Sequence, residues 1–186
     1  MPRIPLFPME PMTAEQRRVY DAVASGPRGK VEGPLRAALH RPDLADKWQQ
    51  FGAALRYGTS LPPRLSELAI LLTARAWDSQ FEWYAHEPHA LEAGLAREAV
   101  DAIRTGGTPS FGNEEEQAVH DYVTELQRTR QVSEKTYQRA LALFDVIGVV
   151  ELTALTGYYS MVAMTLNAHE IPLPEGAESP LPVCNY

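Results

Sequence analysis

The sequence predicts an all-α fold, and three observations carry that prediction. Apolar residues recur at three- and four-residue spacing through most of the chain, as in Leu44, Trp48, Phe51, Ala54 and Leu55. Alternating strand patterns are almost absent. Eight of the fifteen prolines lie in residues 2–11 and 172–182, so the breakers sit at the two ends and leave the middle free to be helical.

The elements follow in order. Pro2, Pro5, Pro8 and Pro11 alternate with Ile4, Leu6, Phe7 and Met9, a three-residue period that favours a polyproline II arm resting its apolar residues on a surface. Thr13-Ala-Glu-Gln16 has the capping-box spacing and predicts a helix to about Ala24, stopped by Ser25-Gly-Pro-Arg-Gly29. Pro34 starts a short helix ending before Pro42, and Asp43 is expected to cap the next one. Tyr57-Gly-Thr-Ser-Leu-Pro-Pro63 is a turn. Leu65 to Trp77 is a mostly apolar helix, interrupted at Asp78 and Ser79. A second helix runs to Ala93, kinked by Pro88 and closed by Gly94, so the two form an antiparallel hairpin. Further helices are expected at Ala96–Arg104, Asn113–Arg130, Ser133–Phe144 and Val149–His169. The domain division is an N-terminal arm at 1–12, one helical domain at 13–170 and a C-terminal arm at 171–186.

Composition excludes several function classes. The 186 residues suit one compact core. A net charge of −7 argues against general attraction to nucleic acid or an anionic membrane. Cys184 is the only cysteine, which rules out an internal disulfide, a CxxC redox centre or a thiolate zinc knuckle. The prolines near the start break any signal-peptide pattern, and no stretch reads as ~20 apolar residues of a membrane span. A cytoplasmic protein is expected.

The chemistry-bearing residues lie on the hairpin. Ser79, Glu82, Trp83 and His86 stand at i, i+3, i+4 and i+7 and share one helix face. Measured from Asp78, Glu67 lies about 16 Å back along its helix and His86 about 12 Å along the returning one, at 1.5 Å per residue. An antiparallel hairpin brings them to similar depth. A carboxylate beside an imidazole raises its pKa, burial lowers it, and the balance could poise His86 near neutrality as a general acid or base. A solvated Glu–His pair is the plainer alternative, but Glu67 within an apolar run needs a partner. His86-Glu-Pro-His89 lacks the i, i+4 histidine spacing of a zinc protease, so no metal site is expected. Ser25-Gly-Pro-Arg-Gly29 could cradle an anion, but turn chemistry accounts for it. Glu67-Leu-Ala-Ile to His86-Glu87 is faintly echoed by Glu151-Leu-Thr-Ala to His169-Glu170, which suggests duplication without assigning His169 a role.

Arg64-Leu-Ser-Glu-Leu-Ala-Ile-Leu71, Trp77-Asp-Ser-Gln-Phe-Glu-Trp-Tyr-Ala-His86 and Ala93-Gly-Leu95 resemble the carboxymuconolactone decarboxylase family, which includes the alkyl hydroperoxidase D-like proteins. The likeness extends over about residues 13–175, including Leu55-Arg-Tyr-Gly-Thr-Ser-Leu-Pro-Pro63, Gly157-Tyr-Tyr159 and Leu166-Asn-Ala-His-Glu170. In the hydroperoxidase branch it implies a Glu, a CxxC pair and a His acting as a proton-relay disulfide centre. The Glu and His fall on Glu67 and His86, but the two cysteine positions are Ser79 and Glu82. Without thiols that peroxidase mechanism cannot run.

The decarboxylase branch implies a cofactor-independent lyase acting on a small lactone or organic acid. His86 would be the proton donor, Glu82 its orienting partner and Glu67 a more distant relay. Trp83, Trp77 and Tyr84 would wall the pocket beside Ser79, and Arg75 or Arg56 would hold a carboxylate. Tyr158 and Tyr159 could reach the same cavity, though core packing is the plainer role. The resemblance also implies a homo-oligomer, a trimer or hexamer, with a small molecule as its other partner. Another acid/base activity, an isomerase or hydrolase, and a non-enzymatic oligomeric binding protein are the alternatives.

Overall fold

A computed structural model describes residues 1–182; Cys184 and the end of the C-terminal arm lie outside the described residues. The described residues form eight helices: α1 (Ala14–Ser25), α2 (Pro34–Ala38), α3 (Pro42–Tyr57), α4 (Pro63–Ala76), α5 (Gln80–Glu92), α6 (Arg97–Arg104), α7 (Glu114–Thr129) and α8 (Glu134–Ala168). No strand occurs among the described residues, so the all-α prediction holds.

Helix α4 is the centre. Every residue from Leu65 to Ala74 is buried, because α5, α7, α8 and α6 all pack on it. Its end is set by Asp78, which takes a left-handed backbone (φ 46°), while the Ser79 amide donates to the Ala74 carbonyl at 2.9 Å. That corner reverses the chain and starts α5 antiparallel to α4. Helix α5 continues through Pro88 and ends at Gly94 (φ 95°), a conformation that glycine adopts without steric cost.

Other starts and stops agree with the sequence, with differences that have physical reasons. The capping box at Thr13 and Gln16 is formed in both directions. Asp43 does not cap α3: Pro42 opens the helix, since its missing N–H would be unpaired there anyway, and Asp43 sits in the first turn holding Arg41 at 3.0 Å. The two expected C-terminal helices run on as α8, broken at Asp145, whose backbone (φ 58°, ψ 177°) is not helical. The sequence echo has no structural counterpart. Residues 151–168 lie in one helix, Glu151 accepts from the Ser60 amide and hydroxyl at 2.8 and 2.6 Å, and His169 ends α8.

By length and composition α8 is long and apolar enough to cross a membrane, contrary to the sequence reading. One face of it, including Leu152, Leu155, Tyr159, Val162 and Leu166, packs into the core, which is reason enough for much of its apolar character. The outer side carries exposed Val146, Ile147, Val150, Met161 and Met164.

The N-terminal arm docks on its own chain. Bends at residues 3–4, 7–8 and 10–11 replace a straight polyproline rod. The Arg3 amide donates to the His169 carbonyl at 2.9 Å, the Phe7 amide to Arg36 at 3.2 Å, and Arg36 Nε donates back to the Phe7 carbonyl. Phe7 is 1% exposed, with its ring edge-on to His40 at 5.1 Å. Phe7→Ala therefore removes a core side chain and is expected to cost about 3–5 kcal/mol, read as a lower urea midpoint. A frayed arm would leave that midpoint unchanged. At the other end, Leu181 is buried and exchanges two hydrogen bonds with the Gln80 side chain at 2.9 and 3.1 Å.

Candidate active site

The hairpin register brings the three predicted catalytic residues into contact. His86 Nδ1 lies 2.6 Å from Glu67 Oε2, across from α5 to α4, and His86 Nε2 lies 3.1 Å from Glu82 Oε1, one turn earlier on α5. All three side chains are buried, so each charge depends on the others for compensation. Glu67 is a direct partner of the imidazole rather than a distant relay, and its other oxygen lies 3.9 Å from Arg56 Nε. The Tyr159 ring packs edge-on to His86 at 5.1 Å, and Tyr158 packs edge-on to Tyr159 at 5.3 Å. These rings fix the imidazole plane.

The electrostatics follow from this packing. Burial pulls the His86 pKa down, but hydrogen bonds and charge from Glu67 and Glu82 outweigh it and push the imidazole up to about 9. It is thus an imidazolium at neutral pH, not a group poised near neutrality. For Glu67 burial pushes upward, and the His86 hydrogen bond and the charges of His86 and Arg56 hold the carboxyl below its usual range. Burial, then the neighbouring Glu82 charge, drive the Tyr159 phenol well above its ordinary value.

Beside the imidazole is a cavity of about 120 Å³ lined by Glu82, His86, Tyr158 and Tyr159, with Arg28, Lys30, Glu32 and Arg56 among its other walls. Lys30 pairs with Glu32 at 2.8 Å. Arg28 has no carboxylate partner among the described residues: its Nη2 reaches the Tyr158 hydroxyl at 3.4 Å, and its Nε is buried without a hydrogen-bond partner. Helix α3 closes this wall at Gly52, where an added Cβ would overlap the Tyr158 hydroxyl and crowd Arg28. The glycine is needed for close approach, not for its backbone angles.

The five residues expected to bind substrate do not line this cavity. Arg75 pairs with Asp78 three residues on and faces a different cleft. Trp77 closes α4, its carbonyl accepting from Asn167 at 2.7 Å, and lies outside the cavity wall. Trp83 is fully buried in the core, with its indole N–H donating to Glu87 at 2.9 Å. Tyr84 stands 40% exposed on the outside of α5. Ser79 is wholly buried at the α4–α5 corner, and its hydroxyl has no hydrogen-bond partner among the described residues. Of the two arginines offered as carboxylate holders, Arg56 lines the cavity and Arg75 does not. Tyr158 and Tyr159 do reach it. Arg28, which also lines the cavity, is in sequence only a lone basic residue in a Gly/Pro turn, a signal with no direction in space.

Comparison with known proteins adds the following. Residues 42–125, which hold α3 to α6 and most of α7, match the model of the carboxymuconolactone decarboxylase family. No curated protein matches the chain. Among solved structures, a peroxidase-related protein described as an alkylhydroperoxidase AhpD core, from Ralstonia eutropha JMP134, superposes with a TM-score of 0.76 at 15% identity, covering 94% of this chain and 93% of that one. An uncharacterised peroxidase-related protein from Silicibacter sp. TM1040 gives 0.74 at 12% identity, covering 92% and 91%. The debrominase Bmp8, solved in complex with 2,3,4-tribromopyrrole, gives 0.73 at 14% identity, covering 97% and 95%. At these identities the likeness is one of fold.

Proposed function

Because the chain belongs to the carboxymuconolactone decarboxylase family and has an alkyl hydroperoxidase D-like fold, we propose that it is a cofactor-independent lyase that decarboxylates a small lactone or related organic acid. The supporting observation is His86, clamped between Glu67 and Glu82 on the wall of a cavity whose free cation is supplied by Arg28. The thiol route of peroxide reduction has no residues to run on, since Ser79 and Glu82 stand at the cysteine positions and carry no redox couple.

The chemistry needs an anion holder and a proton donor. Arg28, with Arg56 behind it, holds a substrate carboxylate or carbonyl oxygen. The bond to the leaving carboxylate breaks heterolytically, carbon dioxide departs, and the electron pair spreads onto the lactone carbonyl, whose developing negative charge the guanidinium offsets. His86 Nε2 passes its proton through Glu82 Oε1 or directly to the carbon, and solvent restores it. Glu67 keeps the ring oriented and, as a neighbouring negative charge, favours the return of its proton. A cavity of about 120 Å³ restricts the substrate to a small acid. The exposed apolar row on α8 supports assembly with further copies of the chain.

The test is a panel of carboxylated lactones and short unsaturated acids incubated in D2O. The expected result is carbon dioxide release with one deuterium at the carbon that lost it, strongly reduced in Glu82→Gln. Deuterium exchange without carbon dioxide would replace the lyase by an isomerase-type activity. If no acid raised Tm or turned over, the binding-protein alternative would stand instead.

A further inference from the structure

A second cleft lies at the other end of α4, between that helix, α7 and the loop joining α6 to α7. Its volume is about 360 Å³, three times that of the cavity beside His86. It falls within the size range of pockets that hold small organic ligands. The walls divide by chemistry. Leu72, Ile103 and Pro109 supply apolar surface, while Arg75, His120 and Arg128 bring positive or protonatable groups, and no carboxylate lines it.

Arg75 is the informative member. One end of its guanidinium is held by Asp78, so the group is fixed in place. Its Nε is buried with no hydrogen-bond partner among the described residues, an arrangement that leaves a donor unpaid in solvation. Gly106, with a left-handed backbone (φ 75°), brings the loop so close that an added Cβ would stand 3.2 Å from Arg75 Nη2. His120 has Nδ1 on Asp121 at 3.1 Å, which orients its ring. Both acids that hold these groups lie outside the cleft lining, so they position the cations without lining the space a ligand would fill.

We propose that this cleft is a second binding site, distinct from the cavity at His86, for a small organic anion with an apolar body. The acid head sits on Arg75 and Arg128, and the body lies against Leu72 and Ile103.

The experiment is calorimetric titration of the full chain with 2-naphthoate, and with uncharged 2-naphthamide as the control of equal shape. Saturable binding of the naphthoate is expected, at least tenfold tighter than the amide. It should weaken about tenfold in Arg128→Gln and in Arg75→Gln, and be lost in Thr124→Trp, which fills the cleft from its exposed rim without removing a charge. Arg28→Gln, at the other cavity, should leave it unchanged. Because Arg75→Gln also removes the Arg75–Asp78 ion pair and could unfold the chain, Arg128→Gln and Thr124→Trp decide the matter by themselves. Equal affinity for the amide, indifference to Arg128→Gln and Thr124→Trp, or loss of binding in Arg28→Gln would each overturn the proposal.

Discussion

His86→Gln is expected to lower turnover of the decarboxylated acid by about 10²–10⁴-fold, the usual worth of a positioned general acid. Glutamine can donate one hydrogen bond to Glu67 or Glu82 but carries no transferable proton and no charge. The loss should fall on kcat, with KM little changed, since the substrate's acid group is held by Arg28 rather than by the imidazole. The circular dichroism spectrum should still be helical, because α4 and α5 are also joined by the Asp78 corner and by their apolar contacts. Full activity in a folded His86→Gln protein would remove the imidazole from the chemistry.

Glu67→Ala should have a large effect on stability. It leaves a buried imidazolium with one carboxylate instead of two, and breaking a buried pair in this way costs about 3–5 kcal/mol. The pH dependence separates this from simple loss of packing. In the wild type the His86 pKa rises from 6.5 to about 9 on folding, so its contribution is fully present below 6.5 and is lost as pH rises through about 9. The Glu67 pKa falls below 4.5 on folding, so its contribution is present above 4.5 and is lost as pH falls through the lowered value. Urea midpoints measured from acid to alkaline pH should show both limbs in the wild type. In Glu67→Ala the acid limb should shrink and the alkaline one shift toward neutrality. An unchanged profile would mean that His86 is not charged in the folded protein.

Much of this was legible in the sequence, and the exceptions have physical causes. Helical spacing and the breakers locate the elements, and rise per residue alone places Glu67 opposite His86. Direction around the helix carries further information. Tyr84 is two residues from Glu82, about 200° around the helix at 3.6 residues per turn, so its exposure could have been foreseen. Arg75 lies three residues before Asp78, a spacing at which opposite charges pair. What could not be read was the contribution of distant segments. Arg28 reaches the cavity from the loop after α1, and Gly52 matters only because Tyr158, more than a hundred residues later, needs the space. No local pattern carries such information.

The corner at Asp78 and Ser79 makes the spacing between acid and base a matter of length as well as identity. One residue added to α4 between Glu67 and the turn would slide the carboxylate about 1.5 Å and rotate it about 100° away from the imidazole. Substitutions along this hairpin can be absorbed by neighbours, but a single inserted or deleted codon within it cannot. The gap of nineteen positions from Glu67 to His86 is therefore a ruler built into the chain.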